Sequence, residues 1–263
     1  MGARAAASRE IDEGDREVVA GLVHGISVIQ ALQKRSGMTQ SELSGVTGLT
    51  RATARRSLIT LTMLGYVDAT DGAYRLTPKV IEFATGYLNA THGWIATASP
   101  FLELLRNRVE ENVSAVVLDR TEVVYVASYA ADTVMSLNVR IGGRKPAYCT
   151  AMGRVLLAAM PDDCVEGVLE MSNIQRKTGR TEVAMEGLLA EIRKVREQGY
   201  AVIDQELEPG LIAVAVPLKN LRGDVVAAIN ICGHTMHTSA DKLLTTCLTE
   251  ALKTARQIGA RIP

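Results

Sequence analysis

Three arginines in the first third of the chain have a spacing that suits contact with a nucleic acid. Arg51, Arg55 and Arg56 fall at i, i+4 and i+5, so they would share one face of a helix. Their guanidinium groups can donate to guanine edges or to phosphate oxygens. Thr50 and Thr53, at the start of the same segment, could add phosphate contacts at a helix N-terminus. We therefore predict a DNA-contacting helix here, against the alternative of a solvated charged face.

The residues around these arginines predict a helix, a tight turn, a second helix and a β-hairpin. Thr39 and Glu42 have the spacing of a capping box for the first helix. Asp71 and Gly72 form a strong hairpin signal between the segments YVDA and AYRLT. This order is the layout of a winged helix-turn-helix, whose second helix enters the major groove. Arg75 on the wing is a further candidate for phosphate contact, and a winged helix that contacts a protein is the alternative.

The basic residues are concentrated in one segment of the chain, which indicates that different segments bind different partners. The formal net charge is +0, but residues 34–79 contain seven basic and three acidic residues. The rest of the chain is therefore slightly acidic. A content of 47% apolar and 22% charged residues excludes a disordered chain. A basic module joined to an acidic remainder fits a protein that binds DNA with one part and another molecule with the other.

The length of 263 residues allows about two domains of ~100–200 residues each. We predict a mobile tail over 1–16, a winged helix-turn-helix over 17–77, a linker helix over 78–97 and a second domain over 98–263. Alternating strand and helix patterns in the second domain predict an antiparallel sheet with helices at its ends or on one face. The predicted fold class is α+β.

Two finer predictions concern the second domain. Pro100 is expected to begin or to kink a helix. The segment TVMSLNVRIGG, residues 133–143, is predicted as a strand.

The four cysteines contain no CxxC pair, which argues against a disulfide scaffold and fits a reducing cytoplasm. Cys232, His234 and His237 have the spacing C-x-H-x-x-H, and such ligands suit zinc. Because no second ligand cluster accompanies them, we predict a polar loop and no metal. The N-terminus has no secretory h-region, and no apolar run approaches the ~18 residues of a membrane span. We predict a cytoplasmic protein with no membrane partner.

Two other groups of residues could serve an enzyme. Cys149 directly precedes a predicted helix N-terminus, which can activate a thiol as a nucleophile. No paired base is evident near it, so a small-molecule enzyme that uses Cys149 is kept as the alternative function. Asp204, Glu206 and Glu208 alternate like carboxylates for acid–base chemistry. We predict instead a loop edge or a subunit contact.

Four blocks of this sequence resemble the IclR-type transcriptional regulators, in the same order and along nearly the whole chain. They are LTRATARRSLITLTMLGYV, RKPAYCTAMGRVLLAAM, GYAVIDQELEPGLIAVAVPL and DVVAAINICG. The second and third are most similar to the branch that governs aromatic-acid catabolism through protocatechuate and β-ketoadipate. The resemblance implies a winged helix-turn-helix, a linker helix and a C-terminal domain of GAF-like topology that binds a small effector. It also implies dimers or dimers of dimers on palindromic double-stranded operators, and no cofactor.

The resemblance further implies an effector pocket between the sheet and the helix that begins in the CTAMGR block. The matching positions are Ala151, Met152, Ile203, Ala213, Asn230 and Cys232. A helix N-terminus suits a carboxylate, so we predict a small carboxylic or aromatic acid such as protocatechuate, 4-hydroxybenzoate or β-ketoadipate. Core packing is the alternative for Ile203 and Ala213. Arg140, and with it Arg144 and Arg154, are candidate cations for the acid.

Overall fold

The computed structural model describes residues 17–91, 93–131 and 140–263. The chain divides into two compact units, residues 1–92 and 93–263. The predicted tail over 1–16 lies outside the described residues. A 3₁₀ turn at Pro78–Val80 leads into a helix over Ile81–Thr91, and a separate helix begins at Trp94. Residue 92 lies outside the described residues, so a single linker helix over 78–97 stays a prediction.

The described part of the first unit contains four α-helices and a three-stranded sheet. The helices are α1 (Ala20–Lys34), α2 (Gln40–Thr47), α3 (Arg51–Met63) and α4 (Ile81–Thr91), and the strands are β1 (Met38–Thr39), β2 (Val67–Thr70) and β3 (Ala73–Leu76). The strand order is β1-β3-β2, and both pairings are antiparallel. The wing turns at Asp71 and Gly72, which both have positive φ as the hairpin signal requires. Leu32, Leu43 and Leu58 lie in the shared core.

The capping box predicted for α2 is present. The backbone N–H of Glu42 donates to Thr39 Oγ1 over 3.3 Å, and the N–H of Thr39 donates to Glu42 Oε2 over 2.8 Å. The helix ends at Gly48, which adopts the left-handed conformation. These local signals fix both ends of α2 and so the angle at which α3 begins.

Replacing Thr39 by Ala should destabilise α2 by about 1 kcal/mol, because the N–H of Glu42 loses its acceptor. Amide hydrogen exchange in α2, followed by mass spectrometry on the full chain, measures this as faster exchange. Ser41→Ala, an exposed change in the same helix with no capping role, is the matched control. Equal exchange in the two variants would contradict the importance of the cap.

In residues 93–131 and 140–263, the second unit is built on a sheet of six strands. Its strands are β4 (Asn112–Asp119), β5 (Glu122–Tyr129), β6 (Arg144–Pro146), β7 (Ala201–Asp204), β8 (Leu211–Lys219) and β9 (Val225–His234). The strand order is β6-β5-β4-β9-β8-β7, with every neighbouring pair antiparallel. Its helices are α5 (Trp94–Val109), α6 (Ala151–Ala158), α7 (Asp162–Glu170), α8 (Met185–Gln198), α9 (Ala240–Lys242) and α10 (Leu248–Gly259).

Helices cover both faces of this sheet, which corrects the prediction of helices at its ends or on one face. Helix α6 packs against one face of β8 and β9, and α10 packs against the other. The reason is visible in β8, where nearly every residue of LIAVAVPLK is buried whichever way it points. A continuous apolar strand belongs to a sheet that is covered twice.

Two smaller predictions concern Pro100 and residues 133–143. Pro100 lies inside α5 and so does not begin that helix, and a kink at Pro100 stays a prediction. Of the strand predicted over 133–143, residues 133–139 lie outside the described residues, and Gly142 turns the chain with a φ of 80° before β6. Within the described ranges, no helix is both long and apolar enough to cross a bilayer.

Candidate functional site

Helix α3 presents its arginines to solvent and packs Ala54, Leu58 and Leu61 into the core. Thr50 caps it, with Oγ1 accepting from the N–H of Thr53 over 3.2 Å. The buried side comprises Ala54, Ser57, Leu58 and Leu61. Arg51, Arg55 and Arg56 are all exposed. Among the ion pairs of the described residues none involves these three side chains, so their guanidinium groups are available for an anion.

The three arginines do not share a single face as closely as the sequence suggested. At about 100° per residue, Arg55 lies about 40° around α3 from Arg51, whereas Arg56 lies about 140° away. Arg56 and Thr53 instead border a groove between α1 and α3. Arg75 is exposed on β3 of the wing. Arg51 and Arg55 therefore form the aligned pair of this surface, with Arg56 on its flank.

The second unit contains a cavity of about 230 Å³ between α6 and the sheet. Six of the seven residues predicted to contact an effector line it: Ala151, Met152, Ile203, Ala213, Asn230 and Cys232. The remaining lining residues are Tyr125, Lys145, Thr150, Leu207, Glu208 and Leu211. Pockets for drug-sized ligands occupy ≈ 300–1,000 Å³, so this volume suits a smaller molecule.

One wall of the cavity is the N-terminus of α6. Thr150 caps the helix by accepting from the N–H of Gly153 over 3.2 Å. The N–H groups of Ala151 and Met152, in the first turn, have no acceptor within the helix. A Cβ at position 153 would overlap the backbone of Ala147, so a glycine is needed where the helix approaches the preceding loop. The close fit holds the helix end, with its positive dipole, against the cavity.

The cation at the cavity is Lys145, which the sequence reasoning missed. Its Nζ lies 2.9 Å from Glu208 Oε1, and both side chains remain partly exposed. Lys145 stands on β6, six residues before α6 begins, so the ammonium group and the helix N-terminus belong to the same stretch of chain. In the sequence, the only indication of this role is that Lys145 is a basic residue within the RKPAYCTAMGR block.

The three arginines considered as cations have other surroundings. Arg140 is exposed and does not line the cavity, which corrects its place among the effector contacts. It lies two residues before Gly142, at the turn that leads into β6. Arg144 pairs with Asp119 and Glu122. Neither Arg140 nor Arg144 lines the cavity.

Arg154 is buried beneath the cavity and fully engaged. Its two terminal nitrogens lie 2.7 and 2.5 Å from the oxygens of Glu206, and its Nε donates to the carbonyl of Tyr148 over 3.1 Å. Only 2% of the side chain is exposed. This bidentate pair fastens α6 to the segment between β7 and β8. Neither Arg154 nor Glu206 lines the cavity, but their pair holds in place the two segments that do.

The carboxylates that alternate after β7 each have a separate basic partner. Asp204 pairs with Arg180, Glu206 with Arg154 and Glu208 with Lys145. Because each carboxylate is paired with a different basic residue, no two of them form the pair of adjacent carboxylates that acid–base chemistry would need.

Cys149 lacks the surroundings of a catalytic nucleophile. It is fully buried, and burial raises the pKa of its thiol above the ordinary value, although a hydrogen bond with Tyr148 opposes this. A protonated, inaccessible thiol is a poor nucleophile. Within the described ranges, no three His, Cys, Asp or Glu residues are grouped as metal ligands. His234 Nδ1 instead accepts from the N–H of Met236 over 3.3 Å.

Comparison with known proteins matches both units. Residues 21–71 match the IclR helix-turn-helix domain, and residues 87–260 match the bacterial transcriptional regulator IclR C-terminal domain. The Pca regulon regulatory protein of Pseudomonas putida is 39% identical over 223 residues, spanning 84% of this chain and 76% of that protein.

Two solved structures extend the comparison. The crystal structure of a putative transcriptional regulator, RHA06195 from Rhodococcus sp. RHA1, is 40% identical with a TM-score of 0.80, covering 92% of this chain and 97% of its own. A double mutant of the PobR inducer-binding domain from Acinetobacter, in complex with 3-hydroxybenzoic acid, is 31% identical with a TM-score of 0.61. It covers 64% of this chain and 98% of its own.

An exposed pair of arginines on a capped second helix, a β-hairpin wing and a cavity under a helix N-terminus are thus accompanied by family matches to both units. The chain belongs to the IclR family of transcriptional regulators, with a helix-turn-helix domain that binds DNA and a C-terminal domain that binds a small effector.

Proposed function

We propose that this regulator responds to a small aromatic carboxylic acid and controls genes for the catabolism of such acids. The cavity of the second unit carries this proposal. It combines two groups that attract an anion, the first turn of α6 and the ammonium of Lys145 in its pair with Glu208, with walls that are mostly apolar. An ammonium group and free helix amides suit a carboxylate, and apolar walls suit a ring.

The relatives support the same class of effector. The Pseudomonas putida protein is named for the Pca regulon, and the PobR domain holds a hydroxybenzoic acid. Both are at least 30% identical to this chain. The walls include Met152, Ile203 and Leu211, which can pack against both faces of a ring.

The DNA partner is proposed to be a palindromic operator bound by a dimer or a dimer of dimers. Arg51 and Arg55 would enter the major groove, with Thr50, Thr53, Arg56 and Arg75 contacting phosphates. Effector binding would alter operator affinity only if the acid binds one arrangement of the protein more tightly than another.

Lys145→Met should lower the affinity for benzoate and its hydroxylated derivatives about 10- to 100-fold, because a charge-assisted contact contributes ~1.5–3 kcal/mol. The removed ammonium would also leave Glu208 unpaired beside the ligand carboxylate. Thermal shift and isothermal titration of the full chain measure the effect, since a ligand at a hundredfold excess over Kd stabilises by about 2.7 kcal/mol.

Lys253→Met, on α10 and outside the cavity, is the matched control and should leave the affinity unchanged. Benzamide, which lacks the negative charge, should bind both variants alike. If Lys145→Met bound benzoate as tightly as the unmutated protein, Lys145 would not be the group that binds the carboxylate. Failure of every aromatic acid to stabilise the unmutated protein would overturn the effector class.

A further inference from the structure

The cavity contains one buried polar atom that no group of the described residues satisfies. Asn230 is 2% exposed, and its Oδ1 has no hydrogen-bond partner among the described residues. Its cross-strand neighbours are Ser114 on β4 and Ala215 on β8. Their side chains are small, and neither donates to this oxygen. Because a buried acceptor left unpaired costs about 1–3 kcal/mol, the position calls for a donor from another molecule.

The unsatisfied oxygen of Asn230 needs a hydrogen-bond donor, and a second carboxylate on that molecule does not supply one. The amide oxygen is an acceptor, and a carboxylate has no proton to give it. The thiol of Cys232, two residues along the same face of β9, stays neutral because burial raises its pKa to about 12. This end of the cavity therefore contains neutral groups, whereas the cation is Lys145.

The sheet separates these two polar ends. Lys145 stands on β6 and Asn230 on β9, with β5 and β4 between them. Three strand spacings of ~4.8 Å separate their backbones by at most about 14 Å across the sheet, and the lysine side chain spans part of that distance. A ligand held at both ends must therefore have its two polar groups apart. A ring with substituents in meta or para positions meets this requirement, whereas an ortho pair does not.

We propose that Asn230 determines effector specificity by accepting a hydrogen bond from a ring hydroxyl that lies away from the effector's carboxylate. The inference rests on the proposed function, since it requires an aromatic acid in this cavity. It narrows the effector to meta- or para-hydroxylated aromatic acids and disfavours open-chain dicarboxylates. Without effector, water can satisfy Oδ1, and an acid that displaces this water without replacing its hydrogen bond loses affinity.

The test compares matched acids on the unmutated full chain by isothermal titration. The series is 4-hydroxybenzoate, 3-hydroxybenzoate, 2-hydroxybenzoate, benzoate, 4-chlorobenzoate and adipate. We expect the para or meta hydroxy acid to bind about 10- to 100-fold more tightly than benzoate, 4-chlorobenzoate and the ortho isomer. Chlorine fills space in the para position without donating, so it separates hydrogen bonding from size.

The second arm uses Asn230→Leu, which removes the acceptor while keeping a side chain of similar size. The preference for the hydroxy acid over 4-chlorobenzoate should fall to within a few-fold of unity. Asn173→Leu, the same change at an exposed position outside the cavity, should retain the preference. The melting temperature of each variant checks that it is folded, and if Asn230→Leu does not fold, the unmutated series decides.

The outcomes separate the two proposals. Equal affinity for benzoate and all hydroxy acids would overturn the role of Asn230 while leaving an aromatic-acid regulator. Tighter binding of adipate than of any hydroxybenzoate would also overturn it, as would a preference that persists in Asn230→Leu. Binding of no acid would reject the proposed effector class together with this inference.

Discussion

Glu206→Gln should destabilise the second unit by about 3–5 kcal/mol, the range observed when one partner of a buried ion pair is removed. Arg154 is 2% exposed and its side chain ends against both oxygens of Glu206. The substitution keeps the shape of the side chain but leaves the guanidinium charge buried and uncompensated. Urea unfolding of the full chain, followed by a probe in the second unit, measures the loss.

Glu208→Gln is a closely matched control, because it makes the same chemical change two residues along the chain. The pair between Glu208 and Lys145 is exposed, with 50% and 38% of the side chains accessible. Exposed pairs contribute only ~0–1 kcal/mol, so this variant should remain close to the unmutated protein. Equal losses in both variants would show that burial does not set the contribution of the Arg154 pair.

Replacing both Arg154 and Glu206 provides a second test of whether the unpaired buried charge causes the loss of stability. The double variant Arg154→Met with Glu206→Gln removes the charge that Glu206→Gln leaves unpaired. Because apolar replacement of a buried ion pair is often neutral or stabilising, the double variant should recover part of the stability. A double variant less stable than Glu206→Gln would mean that the guanidinium contributes mainly through its bond to the carbonyl of Tyr148.

The elements of the first unit were predictable because their signals are local. A capping box, a second cap and a hairpin dipeptide each act within four residues, and each is present in the structure. The position of Arg56 was less predictable. The spacing of Arg56 from Arg51 allows both to lie on one broad exposed side of α3. The packing of α1 beside α3 places Arg56 at the edge of the groove between these two helices.

The second unit was predictable in its elements but not in its contacts. Arg154 and Glu206 are 52 residues apart in the chain, and only the sheet order and the placement of α6 bring them together. Lys145 and Tyr125 reach the cavity for the same reason, since β6 and β5 extend the sheet beyond β4. The cavity positions that came from the family resemblance carried this non-local information, whereas periodicity and spacing did not.

Arg51→Ala and Arg55→Ala should each lower operator affinity about 10- to 100-fold and relax the sequence preference, as expected for side chains that read base edges. Both stand on the exposed side of α3, about 40° apart around its axis, and Arg51 lies in its first turn. The residues near the N-terminus of a recognition helix are those that reach the bases. Fluorescence anisotropy with an operator selected from random DNA, and with a scrambled duplex, measures affinity and preference together.

Arg56→Ala separates base contact from charge, because it removes the same side chain from the flank of the same helix. It should weaken binding to operator and scrambled DNA alike, and should reduce the dependence of log K on log salt by about one unit. Arg193→Ala, on α8 of the other unit, should change neither. If Arg51→Ala and Arg55→Ala weakened both duplexes equally, these side chains would contact phosphates and the preference would arise elsewhere. If no variant changed the affinity, the exposed face of α3 would not be the DNA-contacting surface.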